Sequence, residues 1–102
     1  MAGQAVGLLE VFGCVAAFVA ADAAAKAGNV SIESLDKNKP ANADALPVPL
    51  IMCLKIRGPV ADVRAAMEAA KAAASSITGV VTEYIIPAPD ENTEKMLKIS
   101  AI

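Results

Sequence analysis

The chain has 102 residues, of which 56% are hydrophobic but only 3% aromatic, and its formal net charge is −2. This length suits one domain, residues 1–102, and the low net charge without any run of Lys or Arg argues against a nucleic-acid-binding surface. Because no apolar stretch approaches the roughly 18 residues of a transmembrane helix and no basic secretion signal opens the chain, we expect a cytoplasmic protein without membrane contact.

The first third of the chain predicts a strand, a helix and a second strand. Ala5–Phe12 is mostly apolar with Glu10 near its end, as in a strand of a half-covered sheet, and Gly13 ends it. Residues 15–27 are rich in alanine, the strongest helix former. The apolar residues on one face of this helix are Val15, Phe18, Val19 and Ala23. Apolar and polar residues alternate over residues 30–37, which predicts a strand with one exposed face.

A long loop precedes the third strand. Residues 38–49 hold three of the six prolines together with Asn and Asp, which indicates a loop. Residues 50–57 are predominantly apolar and predict a third strand, which Gly58 ends.

The remaining elements are a helix, a strand and a short tail. Residues 60–76 predict a second alanine-rich helix. Its narrow apolar stripe consists of Val63, Met67, Ala70 and Ala74. Residues 80–87 predict a fourth strand, and residues 92–99 a short terminal helix capped by Asn92 or Thr93.

The order of these elements predicts the fold class. Two strand–helix–strand units follow one another, which is the split βαβ (ferredoxin-like) pattern of an α+β domain. We therefore expect an antiparallel four-stranded sheet with both alanine-rich helices on one face, and a short C-terminal helix.

The abundance of alanine predicts self-association. With 23 Ala residues, the chain has much apolar surface but few bulky side chains to fill a core. A domain of this size buries only about 60 to 70% of the surface of its unfolded chain. Apolar area that stays exposed is ordinarily covered by other chains, so we expect an oligomer.

Residues for catalysis are scarce. There is no His, which removes the usual general base and most zinc sites. No phosphate-binding glycine loop is present, and the carboxylates are scattered. The two cysteines, Cys14 and Cys53, match no metal-ligand spacing; Cys53 has the setting of a buried core residue, and Cys14 begins the first helix. The sequence argues against an enzyme and predicts neither a cofactor nor a metal site.

Four stretches match, in order, the motifs of one family. Residues 5–13 (AVGLLEVFG) resemble A-L-G-M-[IV]-E-x-x-G, and residues 20–27 (AADAAAKA) resemble A-A-D-A-M-x-K-A. Residues 56–63 (IRGPVADV) are similar to V-R-G-D-V-x-A-V. Residues 84–89 (YIIPAP) parallel V-I-P-R-P, and residues 93–97 (TEKML) parallel x-E-K-x-L. The chain thus resembles the single-domain, hexamer-forming shell proteins of bacterial microcompartments.

This resemblance implies a structural role. In the family, six copies make a flat hexagonal tile, and tiles meet edge to edge in a shell that encloses enzymes. The sixfold axis is a pore for small metabolites. The resemblance therefore implies a homohexamer located in a microcompartment shell, whose partners are other shell proteins of the same compartment and metabolites in transit.

The resemblance also places a pore region. The family lines its pore with a short glycine-rich turn that begins with Lys; here Lys37 has that place, but the segment that follows is longer by about nine residues. The implied pore-region residues are Lys37, Asn38, Lys39, Pro40, Ala41, Asn42, Ala43 and Asp44. Because sixfold symmetry multiplies every charge, the lysines predict a mildly cationic mouth that favours anions. Partial occlusion of the pore and an inert surface loop are the alternatives, and the loop lacks the Cys that an iron–sulfur cluster at the axis would need.

Three residues correspond to the edge of the family's tile. Lys26 matches a lysine that lies antiparallel to its copy in the neighbouring tile; the alternative is a solvated lysine paired with Asp22. Pro87 and Ala88 follow the fourth strand, and Ala88 stands where the family commonly has Arg. This difference predicts a weaker edge contact or a different partner tile.

A function of another class remains open from the sequence. Small regulatory modules with split βαβ topology form dimers or trimers and bind an effector between their subunits. Such a protein would bind one metabolite stoichiometrically, whereas a shell tile would form sheets or tubes as its concentration rises.

Overall fold

The computed structural model of the protein describes residues 4–99. The strands are β1 (Ala5–Phe12), β2 (Ser31–Asn38), β3 (Ile51–Gly58) and β4 (Val80–Ile86), and the helices are α1 (Cys14–Ala27), α2 (Val60–Ser75) and α3 (Glu91–Leu97). One turn of 3₁₀ helix, Ala43–Ala45, lies in the connection between β2 and β3.

The sheet has the strand order β2-β3-β1-β4, and all three strand pairs are antiparallel. Helices α1 and α2 pack against each other and against one face of this sheet. This arrangement confirms the α+β fold with a split βαβ topology. We call the other side, on which α3 lies, the open face of the sheet.

The core lies between the sheet and the two long helices. Leu9, Leu54 and Ile56 of the central strands are completely buried in it. Helix α2 contributes Val63 and Met67 together with smaller residues, and its predicted apolar stripe is confirmed. The buried side chains of α1 are all alanine: Ala16, Ala17, Ala20, Ala21 and Ala24. Since alanine has no side-chain entropy to lose and little bulk, it lets α1 lie close to α2 and the sheet.

The larger apolar residues of α1 lie outside this core. Val15 is 68% exposed, Phe18 is 64% exposed and Val19 is 40% exposed. The face predicted from these residues is therefore not the buried face of the helix. The close approach of α1 to α2 leaves room only for alanine, so the bulkier side chains point outward.

The end of α1 and the start of α2 meet without space for another atom. A Cβ added at Gly28 would lie 2.5 Å from the carbonyl oxygen of Asp62. The backbone N–H of Asn29 donates to the Asp62 carboxylate at 3.1 Å. Glycine is required at position 28 because the two backbones touch there.

The cap of α3 differs from the prediction. The carboxylate of Asp90 accepts a hydrogen bond from the backbone N–H of Asn92 at 2.9 Å. Asp90 is thus the N-cap, in place of Asn92 or Thr93, and the helix begins at Glu91. A carboxylate at this position is favoured both by the free N–H groups and by the helix dipole.

Candidate functional site

The predicted pore region is the connection between β2 and β3. Lys37 and Asn38 still belong to β2 and pair with Met52 and Ile51 of β3, so the connection itself is residues 39–50. The strand begins later than predicted and extends one residue further, because the β2–β3 ladder continues beyond the alternating pattern.

The connection has a defined conformation of its own. The N–H of Ala43 donates to Pro40 O at 3.0 Å, and the N–H of Leu46 donates to Ala43 O at 3.1 Å. The connection returns to the start of α1, where the N–H of Gly13 donates to Leu50 O at 2.8 Å. Ala43 is buried, whereas the rest of the proposed pore residues are exposed or half-exposed. This segment is therefore folded against the domain and presents its polar groups outward.

The charged residues of this segment face solvent. Lys37, Lys39 and Asp44 are exposed, and none of the three makes an ion pair within residues 4–99. Two cations and one anion per chain give the segment a net positive charge.

The predicted tile-edge residues lie at the far end of the molecule. Lys26 is in the last turn of α1, and Pro87 and Ala88 follow β4 directly; all three are exposed. Pro87 lies beside the start of β1 because Val6 pairs with Ile86. The end of α1, with Lys26, lies near the same end because Ala5 pairs with Gly58, which lies close to Asn29. The β2–β3 connection joins the opposite ends of the strands. The structure thus places the predicted edge residues at one end of the strands and the predicted pore region at the other.

Lys26 has a partner within its own helix. Its Nζ lies 2.7 Å from Asp22 Oδ2, and both side chains are mostly exposed. The hydrogen bond with Asp22 raises the pKa of Lys26. The ion pair that we considered as the alternative is therefore formed, and since such exposed pairs contribute little stability, it leaves Lys26 able to take another partner.

Arg57 is the centre of a cluster that the sequence pattern did not indicate. Its side chain is 2% exposed, and its two terminal nitrogens donate to the Glu94 carboxylate of α3 at 2.6 and 2.7 Å. It also donates to Glu33 at 3.3 Å and to the carbonyl of Ala5. The hydrogen bonds from Arg57 lower the pKa of Glu94 to about 2. The same bonds, more than any other interaction, raise the pKa of Arg57. One buried guanidinium thus joins β1, β2, β3 and α3.

Lys55 holds the other end of α3. It lies two residues before Arg57 and on the same face of β3, and it pairs with Asp36 at 2.7 Å. Its ammonium also donates to the carbonyls of Leu97 at 3.1 Å and Ile99 at 3.0 Å. A cation at the C-terminal end of a helix satisfies carbonyls that lack partners within the helix. The alternation of Lys55 and Arg57 in β3, like Glu10 in β1, was a signal in the sequence for a charged open face.

Cys53 is not part of the core. It is half-exposed on the open face of the sheet, in a shallow concavity of about 270 Å³. Burial, followed by the charge of Glu10, raises the pKa of its thiol. The position was mispredicted because neighbouring residues of a strand point to opposite faces, so apolar neighbours in sequence do not bury it. Cys14 is exposed, with its Sγ 3.8 Å from Met52 Sδ.

Two kinds of feature are absent from the part of the chain that the structure describes. Within residues 4–99, no group of three or more Cys, Asp or Glu side chains is arranged to bind a metal ion. No helix in that range has the length and apolar content needed to cross a membrane.

Comparison with known proteins decides the family. The family model of the BMC domain matches residues 5–89, which extend from the start of β1 to the predicted edge residues after β4. The chain belongs to the BMC domain family. The family match thus includes both the predicted pore region and the predicted edge residues, while α3 follows it.

Individual relatives agree with this assignment. The chain is 37% identical over 98 residues to the carboxysome shell protein CcmK3 of Halothece sp., covering 94% of this chain and 87% of that protein. It is 33% identical over 97 residues to the bacterial microcompartment shell protein PduA of Citrobacter freundii, covering 95% of each. The predicted resemblance to microcompartment shell proteins is confirmed.

A solved structure shares the fold of this BMC domain. The crystal structure of a microcompartment protein from Desulfitobacterium hafniense matches with a TM-score of 0.68 and 29% sequence identity. The match covers 88% of this chain but only 44% of the solved chain, so the present chain spans less than half of that protein.

Proposed function

We propose that this BMC domain is a homohexameric tile of a bacterial microcompartment shell. The observation that carries the proposal is the placement of the two candidate regions at opposite ends of the molecule. A subunit of a ring-shaped tile needs one end at the symmetry axis and the other at the perimeter, and we assign the β2–β3 connection to the axis and the Lys26 end to the perimeter. The names of the relatives, all shell proteins, support the same role.

The β2–β3 connection would surround the central pore. Residues 39–50 are ordered by their own backbone hydrogen bonds and by contact with the start of α1, so six copies would form a fixed collar. Lys37 and Lys39 outnumber Asp44, and six copies of each would give the collar a positive field. We infer that the pore favours small anionic metabolites, because a ring of like charges raises the local concentration of counter-ions.

The Lys26 end would form the contact between tiles. Lys26 is an exposed, flexible cation whose hydrocarbon stem can pack on a neighbour while its ammonium finds carbonyl oxygens. The side chain of Ala88 offers no charge and no hydrogen-bond donor at the place where the family commonly has Arg, so the contact would depend more on Lys26. Its partners would be further copies or other shell proteins of the same compartment.

The role proposed for the chain is structural and not enzymatic. The chain has no His, and the relatives named above are shell proteins. We also propose that residues 1–102 act as one domain, because the BMC domain match and α3 together account for nearly all of the chain.

The decisive experiment is the solution mass of the protein, measured by light scattering after gel filtration, with electron microscopy of the same sample. Six copies of 10.3 kDa come to about 62 kDa, and hexagonal sheets or tubes should appear as the concentration rises. A stable dimer or trimer without assemblies would contradict the proposal and favour a ligand-binding module.

A further inference from the structure

Residues 4–99 leave part of the open face of the sheet uncovered. Helix α3 lies over the β2–β3 side, where Arg57 and Lys55 hold it, and leaves the β1–β4 side exposed. The shallow concavity described above lies on that side. We call it the open-face pocket; it is lined by Leu8, Glu10, Cys53, Thr82, Glu83 and Tyr84. Tyr84 is 68% exposed, so this pocket presents a large apolar surface to its surroundings.

The pocket contains one carboxylate without a cation. The Glu10 carboxylate makes no hydrogen bond and no ion pair with any group in residues 4–99, whereas Glu83 in the same pocket is paired with Lys71. Glu33 and Asp36 of the same sheet face are paired with Arg57 and Lys55. The pocket is therefore an apolar concavity with one unpaired carboxylate at its wall.

The opposite side of the molecule carries an apolar projection. Val15, Phe18 and Val19 are spaced i, i+3 and i+4 on α1, and all three are exposed, Phe18 at 64%. We call these three residues the α1 patch. A cluster of large apolar side chains on one helix face is a usual sign of a contact with another chain.

The pocket and the patch lie at the same level along the strands. Helix α1 starts beside Met52 and runs back antiparallel to β1, so Phe18, four residues later, lies about 6 Å from its start. Glu10 is two residues before the end of β1, or about 7 Å back along the strand. In a ring of identical subunits, two different surfaces can meet only if both have the same distance from the axis. With the β2–β3 connection at the axis, Phe18 and Glu10 satisfy this condition.

We propose that Phe18 of one copy of this chain inserts into the open-face pocket of the next copy in the ring. The inference rests on the proposed hexamer and assigns its subunit contact. Each subunit has the projection on one face and the pocket on the other, which is the head-to-tail arrangement that closes a ring. Leu8 and Tyr84 contact the phenyl ring, and the Glu10 carboxylate faces its electropositive edge. An aromatic side chain anchored in a pocket is the type of contact that contributes most to an interface.

Chemical cross-linking tests this contact, because Cys53 already lines the pocket. In the double variant Cys14→Ser and Phe18→Cys, a short bismaleimide should join residue 18 of one subunit to Cys53 of the next. Repetition around the ring should give a ladder of covalent products that ends at the hexamer on a denaturing gel. The matched control, Cys14→Ser with Arg64→Cys, places an exposed thiol near the other end of the helix layer and should give none.

A second measurement does not depend on assembly of the cysteine variant. In Cys14→Ser alone, Cys53 should be protected from alkylation in the assembled protein. Addition of Phe18→Asp to this variant should remove both the protection and the hexamer. Addition of Phe18→Leu instead should keep both. A hexamer that forms normally with Phe18→Asp, or in which Cys53 is alkylated freely, would overturn this inference and leave the proposed function intact. A wild-type protein that is not hexameric would overturn the proposed function itself.

Discussion

The side chain of Arg57 shows how much of this fold depends on single charges. It is almost completely buried, yet both of its terminal nitrogens and its Nε have acceptors. A buried cation is tolerated only when its desolvation is offset by well-aligned partners. Helix α3 has one buried residue, Leu97, so its attachment to the sheet depends on Arg57 and Lys55 more than on apolar contact.

We therefore expect Glu94→Gln to destabilise the protein at neutral pH and to flatten the dependence of its stability on pH. Arg57 lowers the pKa of Glu94 from 4.5 to about 2. A lowered pKa in the folded state means that the stabilisation is complete above pH 4.5 and is lost as the pH falls toward 2. Urea unfolding at several pH values measures this slope. The control is Glu91→Gln, an exposed residue of the same helix; equal slopes for both variants would contradict the expectation.

The elements of the domain are held together by unusually close contacts. Alanine forms the whole buried face of α1, and glycine is needed where α1 ends against α2. Such contacts leave no space for larger side chains, so substitutions that add atoms to them should be more damaging than substitutions on the outer face of the same helix.

Gly28→Ala tests this close packing. The added Cβ would lie 2.5 Å from a backbone oxygen of Asp62, which cannot move as a side chain can. Overpacking of this kind costs about 1–3 kcal/mol, and the free energy of unfolding should fall by that amount. Ala25→Ser, on the exposed face of α1, should change it by less than about 0.5 kcal/mol. Stability of Gly28→Ala equal to that of the control would show that the junction can adjust.

The β2–β3 connection is expected to be dispensable for folding. Replacement of residues 39–47 by a short glycine turn removes only one buried side chain, Ala43, and the entropy of loop closure changes by about 0.6 kcal/mol per twofold change in length. Thermal unfolding followed by circular dichroism should therefore remain cooperative with a similar midpoint. As a comparison, Met67→Ala in the core should cost about 2–5 kcal/mol. Loss of cooperative unfolding in the shortened protein would show that the connection is part of the core.

At the scale of the whole molecule, the domain has the form of a thin slab, 39 × 28 × 17 Å. Its two broad sides are different: one is the outer face of α1 and α2, and the other is the open face of the sheet. Its two ends are also different, with the β2–β3 connection at one and Lys26 at the other. A body with distinct faces and distinct ends can form both a closed ring and a layer of rings, since each type of contact has its own surface.

Lys26→Ala is expected to leave the ring intact and abolish sheets. Lys26 lies at the end of the slab that we assign to the perimeter, so its loss should affect contacts between rings only. Light scattering should give the same mass as for the wild type, while electron microscopy should show no sheets or tubes. Lys95→Ala, which removes an exposed lysine of α3, serves as the control. Loss of the hexamer in Lys26→Ala would place this residue inside the ring instead.

The order of the elements and the fold class followed from the sequence because they depend on local patterns. The alternating apolar residues of β2, the stripe of Val63 and Met67 on α2, and glycine after a strand or helix all arise within a few residues of chain. The motifs around Lys26 and residues 56–63 were similarly local, and they were sufficient to identify the family.

Tertiary structure alone decided which faces are buried and which charges are paired. The pattern of α1 would equally fit a helix that buries Phe18; the close approach of α2 selected the alanine face instead. Glu94 lies 37 residues from Arg57, and no periodicity relates two positions so far apart. Cys53 likewise has apolar neighbours in sequence but lies beside Glu10 on the open face, because pairing between strands determines its surroundings. Local preference therefore determined the helices and strands, whereas packing and electrostatics between distant segments determined which of their faces are buried and which of their charges are paired.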